Sequence, residues 1–157
     1  MFLPGPAVPQ LWHLTFNRLD GLNEQLVRGR EDLFFGFIFD AEATIKLPGY
    51  AVGYYADGFA SSGAALGGSF GFYRAWDATT AQNRQRMQSK LTMPVLAIGG
   101  ETSAMNAPEL VMKIVANDVQ GLEIPGAGHF IAEEAPEQVL AALAEFLAPY
   151  RNEGPTR

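Results

Sequence analysis

Apolar residues in the second half of the chain recur in a regular order. Residues 93–100 form a short apolar run closed by two glycines, typical of a strand buried on both faces. Residues 121–125 read as a second short strand. Between and after them, helical spacing of apolar residues predicts two amphipathic helices, the first on Leu110, Val111, Ile114 and Val115 and the second, from Pro136 to about Pro149, on Val139, Leu140, Leu143, Phe146 and Leu147. The order β-α-β-α predicts parallel strands joined by crossovers.

The first half of the chain reads mostly as helices. Residues 22–39 are broadly helical, with Gly29 and Gly36 expected to interrupt the helix. Residues 50–59 and 69–76 are plausible aromatic-rich helices, and residues 77–89 are polar enough for an exposed helix that leads into a linker. The front region is therefore expected to be a helical layer of its own.

Composition narrows the class of protein. The chain has 157 residues, 48% of them hydrophobic and 18% charged, which fits one globular domain. The net charge of −6 argues against nucleic acid, because phosphate binding needs clustered Lys and Arg. The absence of cysteine excludes disulfides and thiolate chemistry. No apolar run approaches the roughly 18 residues of a membrane span, and no signal peptide is evident, so we expect a cytoplasmic protein.

His129 is the strongest candidate for chemistry. It is one of only two histidines and lies between Gly128 and Phe130, in a loop just after the second predicted strand. Functional groups of parallel sheets gather in such loops, at the C-terminal ends of the strands. An imidazole there can act as a general base near neutral pH. A surface histidine without a role is the alternative reading of the local pattern.

Two groups of motifs resemble a known family. Residues 125–130, Pro-Gly-Ala-Gly-His-Phe, followed by Glu-Ala-Pro-Glu at 134–137, resemble the end of α/β-hydrolases, where such a loop carries the catalytic histidine. Trp12, His13 and Phe16, with Phe-Tyr-Arg at 72–74, resemble the cap of the epoxide hydrolase and fluoroacetate (haloacid) dehalogenase branch. The resemblance covers about residues 3–150. It implies an α/β fold: the C-terminal part of an α/β-hydrolase, with a mostly helical cap followed by a β-α-β-α unit of a parallel sheet.

The resemblance also implies roles for two cap residues. Tyr73 matches a tyrosine that polarises an epoxide oxygen or helps to hold a leaving halide, and a phenol can donate a hydrogen bond to such developing charge. His13 lies where epoxide hydrolases usually have a second tyrosine, and it also matches a histidine of the dehalogenases. Those dehalogenases then have a halide-binding tryptophan, where this chain has Leu14. Both Tyr73 and His13 are therefore expected to bind substrate, with aromatic packing as the alternative.

The carboxylate that should orient His129 is less well marked. In many members of the family it is an Asp shortly after the penultimate strand, a position that here falls on about Thr102. Its neighbour Glu101 lies in the right loop and is the candidate acid, because a carboxylate on the ring N–H fixes the tautomer. In other members the acid follows the strand before the cap, most of which would precede Met1.

The nucleophile of the fold is expected to lie outside this sequence. In this branch it is an Asp on a strand–elbow–helix ahead of the cap, which forms an ester that the histidine and water then hydrolyse. Residues 67–71 satisfy Gly-x-Ser-x-Gly, which offers Ser69 as a nucleophile. The residues before it, however, do not read as a buried strand.

These observations predict four segments: the end of a core strand and entry to the cap at 1–9, a helical cap at 10–90, the C-terminal part of the core at 91–151 and a frayed tail at 152–157. The expected activity is hydrolysis of a small organic substrate through His129 without metal or organic cofactor, the chain alone being inactive. A complementary N-terminal chain or a homo-oligomer would complete it. The alternatives are a non-catalytic remnant that binds a partner and a self-contained serine hydrolase that uses Ser69.

Overall fold

The computed structural model describes residues 8–151, with the backbone alone for residues 8–11. It divides into two compact units. The helical unit holds the described residues up to Glu42 together with Lys46–Gln88, and the sheet unit holds Ala43–Ile45 and the described residues from Ser89 onward. The expected frayed tail at 152–157 lies outside the described residues, as do residues 1–7 of the expected core-strand end. Residues 8 and 9, which were expected to lead into the cap, already belong to the first helix.

Six helices build the helical unit. In chain order they are α1 (Val8–Phe16), α2 (Leu22–Val27), α3 (Glu31–Glu42), α4 (Gly49–Ala60), α5 (Gly63–Arg74) and α6 (Trp76–Arg86). The helices predicted at 50–59, 69–76 and 77–89 correspond to α4, α5 and α6, with α5 beginning six residues earlier than expected. The start of α5 could not be predicted from the sequence, because the mostly small residues at 63–68 supply no apolar stripe.

The two glycines expected to interrupt residues 22–39 behave differently. Gly29 has a φ of +77°, a left-handed conformation that separates α2 from α3. Gly36 lies inside α3 without breaking it, so the second interruption was wrongly predicted. A glycine lowers helix stability by about 1 kcal/mol, which the packing of a long helix easily offsets.

The helical unit has a compact aromatic core. Val27, Leu66 and Phe70 are buried, and Phe16, Phe34 and Phe35 pack against them. The ring of Phe70 meets those of Phe16 and Phe34 edge-to-face, at centroid distances of 6.3 and 5.8 Å. Such pairs add to the hydrophobic gain of burial. The core therefore joins α1, α2, α3 and α5 around one ring.

The sheet unit alternates strands and helices as predicted. Strand β1 (Val95–Gly100) and β2 (Val119–Ile124) are parallel, in a register that pairs Val95 with Val119 and Gly100 with Ile124. Helix α7 (Ala107–Val115) connects them, and α8 (Ile131–Glu134) and α9 (Pro136–Phe146) follow. The chain then enters a 3₁₀ turn, Ala148–Tyr150, which includes the proline expected to end the last helix. The predicted fold class is confirmed.

The apolar stripes of the sheet unit are only partly covered. Its buried cluster is small, Ile124, Ala127 and Ala135, with Ile98 and Ile131 packed against it. On α7, the predicted stripe has Leu110, Val111 and Ile114 more than half exposed. On α9, Leu140 is 65% exposed. Both helices thus form as their periodicity predicts, while part of their apolar faces remains accessible.

Candidate functional site

His129 lies in the loop that follows β2, residues 125–130, which we call the histidine loop. This loop lies beside the loop that follows β1. Parallel strands place their C-terminal ends at one edge of the sheet, so the two loops meet there. His129 Nδ1 lies 3.5 Å from Ser103 Oγ, and the side chain of His129 is exposed. Its ring meets that of Phe130 edge-to-face at 5.1 Å. Ser103, which follows the expected acid position Thr102 in the chain, is thus brought to the imidazole by the structure.

The histidine loop packs directly on the end of β1. The carbonyl of Ala127 accepts hydrogen bonds from Thr102 N at 3.1 Å and from Thr102 Oγ1 at 3.0 Å. Gly100 lies underneath, and a Cβ atom there would be 2.1 Å from Gly128 O and 2.6 Å from Ala127 O. Glycine at position 100 is therefore what lets the two backbones approach, and the approach fixes the base of the histidine loop.

Glu101 binds the turn that precedes the histidine loop. Its Oε2 accepts a hydrogen bond from Gly126 N at 2.7 Å, and Gly126 has a φ of +72°. The carboxylate thereby stabilises a left-handed turn between β2 and His129. The expected contact of Glu101 with the imidazole remains a prediction, and the structure gives this side chain a second, structural partner.

Glu134 is a site residue that the sequence did not single out. Its side chain is buried, with 7% of the residue exposed. Oε2 accepts hydrogen bonds from Thr44 N and Ile45 N, both at 2.8 Å, and from Gly128 N at 2.9 Å. Oε1 accepts one from Phe130 N at 2.9 Å. The only signal in the sequence is an acidic residue two positions before the proline that opens α9.

The hydrogen bonds to Glu134 decide its charge state. Burial by itself raises the pKa of a carboxyl, because it disfavours the charged form. The N–H groups of Ile45, Gly128, Phe130 and Thr44 outweigh that effect, and the pKa of Glu134 lies below the ordinary value of 4.5. Glu134 is therefore an anion at neutral pH, and its negative charge is balanced by backbone dipoles.

Acid should weaken the sheet unit through Glu134. A carboxyl whose pKa is lowered by folding stabilises the folded state above its unfolded pKa, and this contribution is lost as the pH falls through the lower folded value. We expect Glu134→Gln to lose less stability than wild type between pH 7 and pH 3. Urea unfolding followed by circular dichroism across that range measures the difference. Glu137→Gln, an exposed substitution in the first turn of α9, is the control and should keep the wild-type slope.

The helical unit brings together the two residues expected to bind substrate. The rings of His13 and Tyr73 meet edge-to-face with centroids 6.3 Å apart. His13 Nδ1 is 3.6 Å from Glu42 Oε1, and the side chains of His13 and Glu42 are 12% and 20% exposed. A half-buried His–Tyr–Glu group thus joins α1, α5 and the end of α3. Glu42 could not be predicted from the sequence, because it is distant from His13 along the chain and lies at the end of an acidic helix.

Arg74 anchors the helix end that carries Tyr73. Its Nη1 is 2.7 Å from Glu24 Oε1 and also donates to Leu19 O at 3.1 Å, while Nη2 donates to Gly67 O at 3.0 Å. Burial opposes ionisation of Glu24, but hydrogen bonds from its own backbone N–H and from Arg74 hold the pKa of Glu24 below its usual value. Of the two neighbours Tyr73 and Arg74, the tyrosine therefore places its ring beside His13, and the arginine is a cation with a structural role.

Ser69 does not lie on a nucleophile elbow. It sits in the second half of α5, and the residues before it, 63–68, are helical. Its hydroxyl donates to Leu66 O at 2.7 Å, within the same helix. A nucleophilic serine of this fold needs a strand before it and an exposed sharp turn. The geometry of α5 provides neither at Ser69.

Two other kinds of feature are absent from the part of the chain that the structure describes. Within residues 8–151, no group of three or more His, Asp or Glu side chains could hold a metal ion. In the same part of the chain, no helix has both the length and the apolar character needed to cross a bilayer.

Several known proteins resemble this chain in sequence or in structure. No family model matches the chain. A soluble epoxide hydrolase of Corynebacterium sp. is 34% identical over 80 residues, 48% of this chain and 28% of that protein. Cfl2 of Burkholderia cenocepacia is 28% identical with a TM-score of 0.82, over 93% of this chain and 50% of Cfl2. The epoxide hydrolase CorEH is 22% identical with a TM-score of 0.83, over 96% of this chain and 54% of that structure.

The coverage shows how much of the fold is present. The chain spans about half the length of the solved structures it matches. Its helical unit followed by a parallel β-α-β-α unit corresponds to the order expected for the second half of such a protein. The chain therefore shares the α/β-hydrolase fold of these structures, over a stretch that is consistent with the C-terminal part of that fold.

Proposed function

We propose that this chain supplies the general base and the electrophilic residues of a hydrolase that opens epoxides or displaces halide from small organic substrates. The observation that carries the proposal is the placement of His129: an exposed imidazole at the C-terminal edge of a parallel sheet, its Nδ1 facing Ser103 Oγ at 3.5 Å. An exposed imidazole at such an edge is suited to general base catalysis.

The two ring nitrogens of His129 have different roles in this proposal. In the proposed tautomer, Nδ1 carries the proton beside Ser103 Oγ and Nε2 carries the lone pair. Nε2 takes a proton from water, and the resulting hydroxide attacks the carbonyl carbon of an ester formed between substrate and an enzyme carboxylate. The ester C–O bond breaks and releases the alcohol, which takes up the proton. The carboxylate nucleophile and the acid that assists His129 belong, in this proposal, to the half of the relatives that the chain does not span.

Tyr73 and His13 are proposed as donors to the oxygen that leaves carbon when an epoxide opens. The phenol O–H of Tyr73 donates to the developing oxyanion, which lowers the barrier because the charge appears in the transition state. His13 adds a second N–H donor, and its Nδ1 lies 3.6 Å from Glu42 Oε1. The edge-to-face contact of the two rings holds both donors in one group.

Glu101 has a supporting role in this proposal. Its bond to Gly126 N stabilises the turn from which the histidine loop departs. Its function is therefore to set the start of the loop, and the substitution Glu101→Gln should retain part of the activity because an amide oxygen can still accept from Gly126 N.

The working enzyme is proposed to contain further strands beside β1 and β2. A two-stranded parallel sheet leaves a row of backbone groups on each outer edge, and such edges are paired or covered in stable proteins. The exposed side chains of Leu110, Val111, Ile114 and Leu140 would be buried by the same addition. A complementary N-terminal segment, or a second chain, is the proposed source.

The experiment is a chimera. The N-terminal half of the Corynebacterium soluble epoxide hydrolase is joined to this chain, and both the chimera and the chain alone are assayed on epoxides, haloacids and p-nitrophenyl esters. We expect turnover of epoxides or haloacids by the chimera, and His129→Ala should lower it by about 10²–10⁴-fold, the usual contribution of a general base.

The same chimera tests the electrophile. Tyr73→Phe should lower epoxide turnover by about 10²-fold, as loss of one donor to an oxyanion does elsewhere. Tyr50→Phe, at an 83% exposed position of α4, is the matched control and should leave the rate unchanged. Turnover by the chain alone that His129→Ala abolishes would contradict the missing nucleophile. A folded chimera without any turnover would favour the alternative of a non-catalytic, partner-binding remnant.

A further inference from the structure

One buried carboxylate binds the backbone on both sides of His129. Gly128 N and Phe130 N, the amides that flank the histidine, donate to Oε2 and Oε1 of Glu134, each at 2.9 Å. The Phe130 N–H belongs to the peptide that follows His129, and the Gly128 N–H belongs to the peptide that joins residues 127 and 128. The two bonds therefore hold the loop backbone on both sides of His129, and the backbone limits where the imidazole can project.

The same carboxylate also holds a segment from elsewhere in the chain. Thr44 N and Ile45 N donate to Oε2 at 2.8 Å, and residues 43–45 belong to the sheet unit although they follow α3 in sequence. The hydroxyl of Thr44 contacts that of Thr102, and Thr102 Oγ1 donates to Ala127 O in the histidine loop. Two separate routes therefore connect residues 43–45 to the loop, and one of them runs through Glu134.

We propose that Glu134 is a positioning residue: it fixes the His129 loop against residues 43–45, so that Nδ1 of His129 stays beside Ser103. Its consequence for catalysis rests on the proposed function, whereas the positioning itself does not. The side chain acts through the loop backbone and touches no reacting atom in this proposal.

The chemistry of the site selects a carboxylate of this length. Four N–H donors converge on two oxygens, and an ionised carboxylate accepts at both while donating at neither. In Glu134→Gln, one oxygen becomes an NH₂ group that must face an N–H donor, so at least one buried amide loses its acceptor. In Glu134→Asp, the side chain is one methylene shorter and cannot reach all three segments from α8.

The test measures the conformation of the histidine loop and does not depend on catalytic turnover. Amide hydrogen exchange and ring ¹⁵N shifts are measured by NMR on the full chain, at pH 7.5, for wild type, Glu134→Gln, Glu134→Asp and the control Glu137→Gln. The chain has only two histidines, so a His13→Gln variant assigns the ring signals of His129. Amides of β1 and β2 show in each variant whether the sheet unit is folded.

We expect the amides of Gly128 and Phe130 to exchange at least about tenfold faster in Glu134→Gln, which corresponds to one lost hydrogen bond of about 1.4 kcal/mol. The tautomer ratio of His129 should move toward that of a free histidine, because Nδ1 loses its fixed place beside Ser103. Glu137→Gln should match wild type in both readouts. A folded Glu134→Gln with wild-type exchange and tautomer ratio would overturn the proposal.

The proposal can also be decided if one or both Glu134 variants fail to fold. If Glu134→Gln does not fold, Glu134→Asp decides: faster loop exchange supports the positioning role and wild-type exchange overturns it. If Glu134→Asp also fails to fold, an acid titration of the wild-type chain is decisive. Amide signals that shift together with pH support the proposal, and signals that shift independently overturn it; the amides concerned are those of Thr44, Ile45, Gly128 and Phe130. A chimera without turnover whose loop signals respond as expected would refute the proposed function alone.

Discussion

Gly100→Ala is expected to destabilise the sheet unit by about 3 kcal/mol and to displace the histidine loop. The new Cβ would lie 2.1 Å from Gly128 O and 2.6 Å from Ala127 O, distances at which backbone atoms have to move. Ala127 O is held by two donors from Thr102, so its movement also breaks hydrogen bonds. A flexible side chain could rotate away from such a contact, but two carbonyl oxygens on a short loop cannot.

Urea unfolding followed by circular dichroism measures the loss, and hydrogen exchange at Gly128 shows whether the loop moves. The control is Gly53→Ala in α4, where a Cβ meets nothing within 4 Å. There we expect a gain of about 0.5–1 kcal/mol, because alanine favours a helix over glycine. If the two variants are equally stable, the close packing of the histidine loop on β1 is refuted.

Phe70→Ala should cost the helical unit about 3–5 kcal/mol, the usual range for removing a buried phenylalanine. Phe70 is 1% exposed and meets the rings of Phe16 and Phe34. Its removal leaves a cavity where four helices converge, and nearby aromatic rings are too rigid to fill it completely. Because α5 also carries Tyr73, the His13–Tyr73 contact should loosen in the same variant.

The same helix provides the control for this prediction. Phe72 lies two positions along α5 and is 83% exposed, so Phe72→Ala should change stability by less than about 0.5 kcal/mol. Both tryptophans, Trp12 and Trp76, lie in the helical unit, so their fluorescence during urea unfolding reports on this unit directly. Equal losses for the two substitutions would mean that Phe70 is not the centre of the core.

The local sequence determined most of the secondary structure of this protein and singled out His129 as the candidate base. The β-α-β-α order of residues 93–146 follows from apolar runs and helical stripes, which depend only on backbone periodicity. His129 could be found because a loop of glycines after a strand is a local feature. The resemblance to α/β-hydrolases then predicted the fold class, which the structural comparison confirms.

The partners of the candidate residues were decided by tertiary structure. The sequence pattern predicted that Glu101 contacts the imidazole. In the structure its carboxylate binds Gly126 N, because the parallel register of β1 and β2 brings these two positions together. Glu42 reaches His13 from the far end of α3, and Ser103 reaches His129 across two loops. Contacts of this kind join residues 25 to 30 positions apart, and no periodicity records them.

Glu134 shows the same limit most clearly. Its sequence context, an acidic residue before a helix-opening proline, is common on protein surfaces, and the sequence could not tell that it would be buried. Burial becomes tolerable only when folding brings four backbone N–H groups from residues 44, 45, 128 and 130 to one carboxylate. The sequence by itself therefore determined which elements form and which histidine is the candidate base. Only the tertiary structure decided what holds the loop of that histidine in place, because Thr44, one of the donors that stabilise the buried charge, lies 90 residues before Glu134 in the chain.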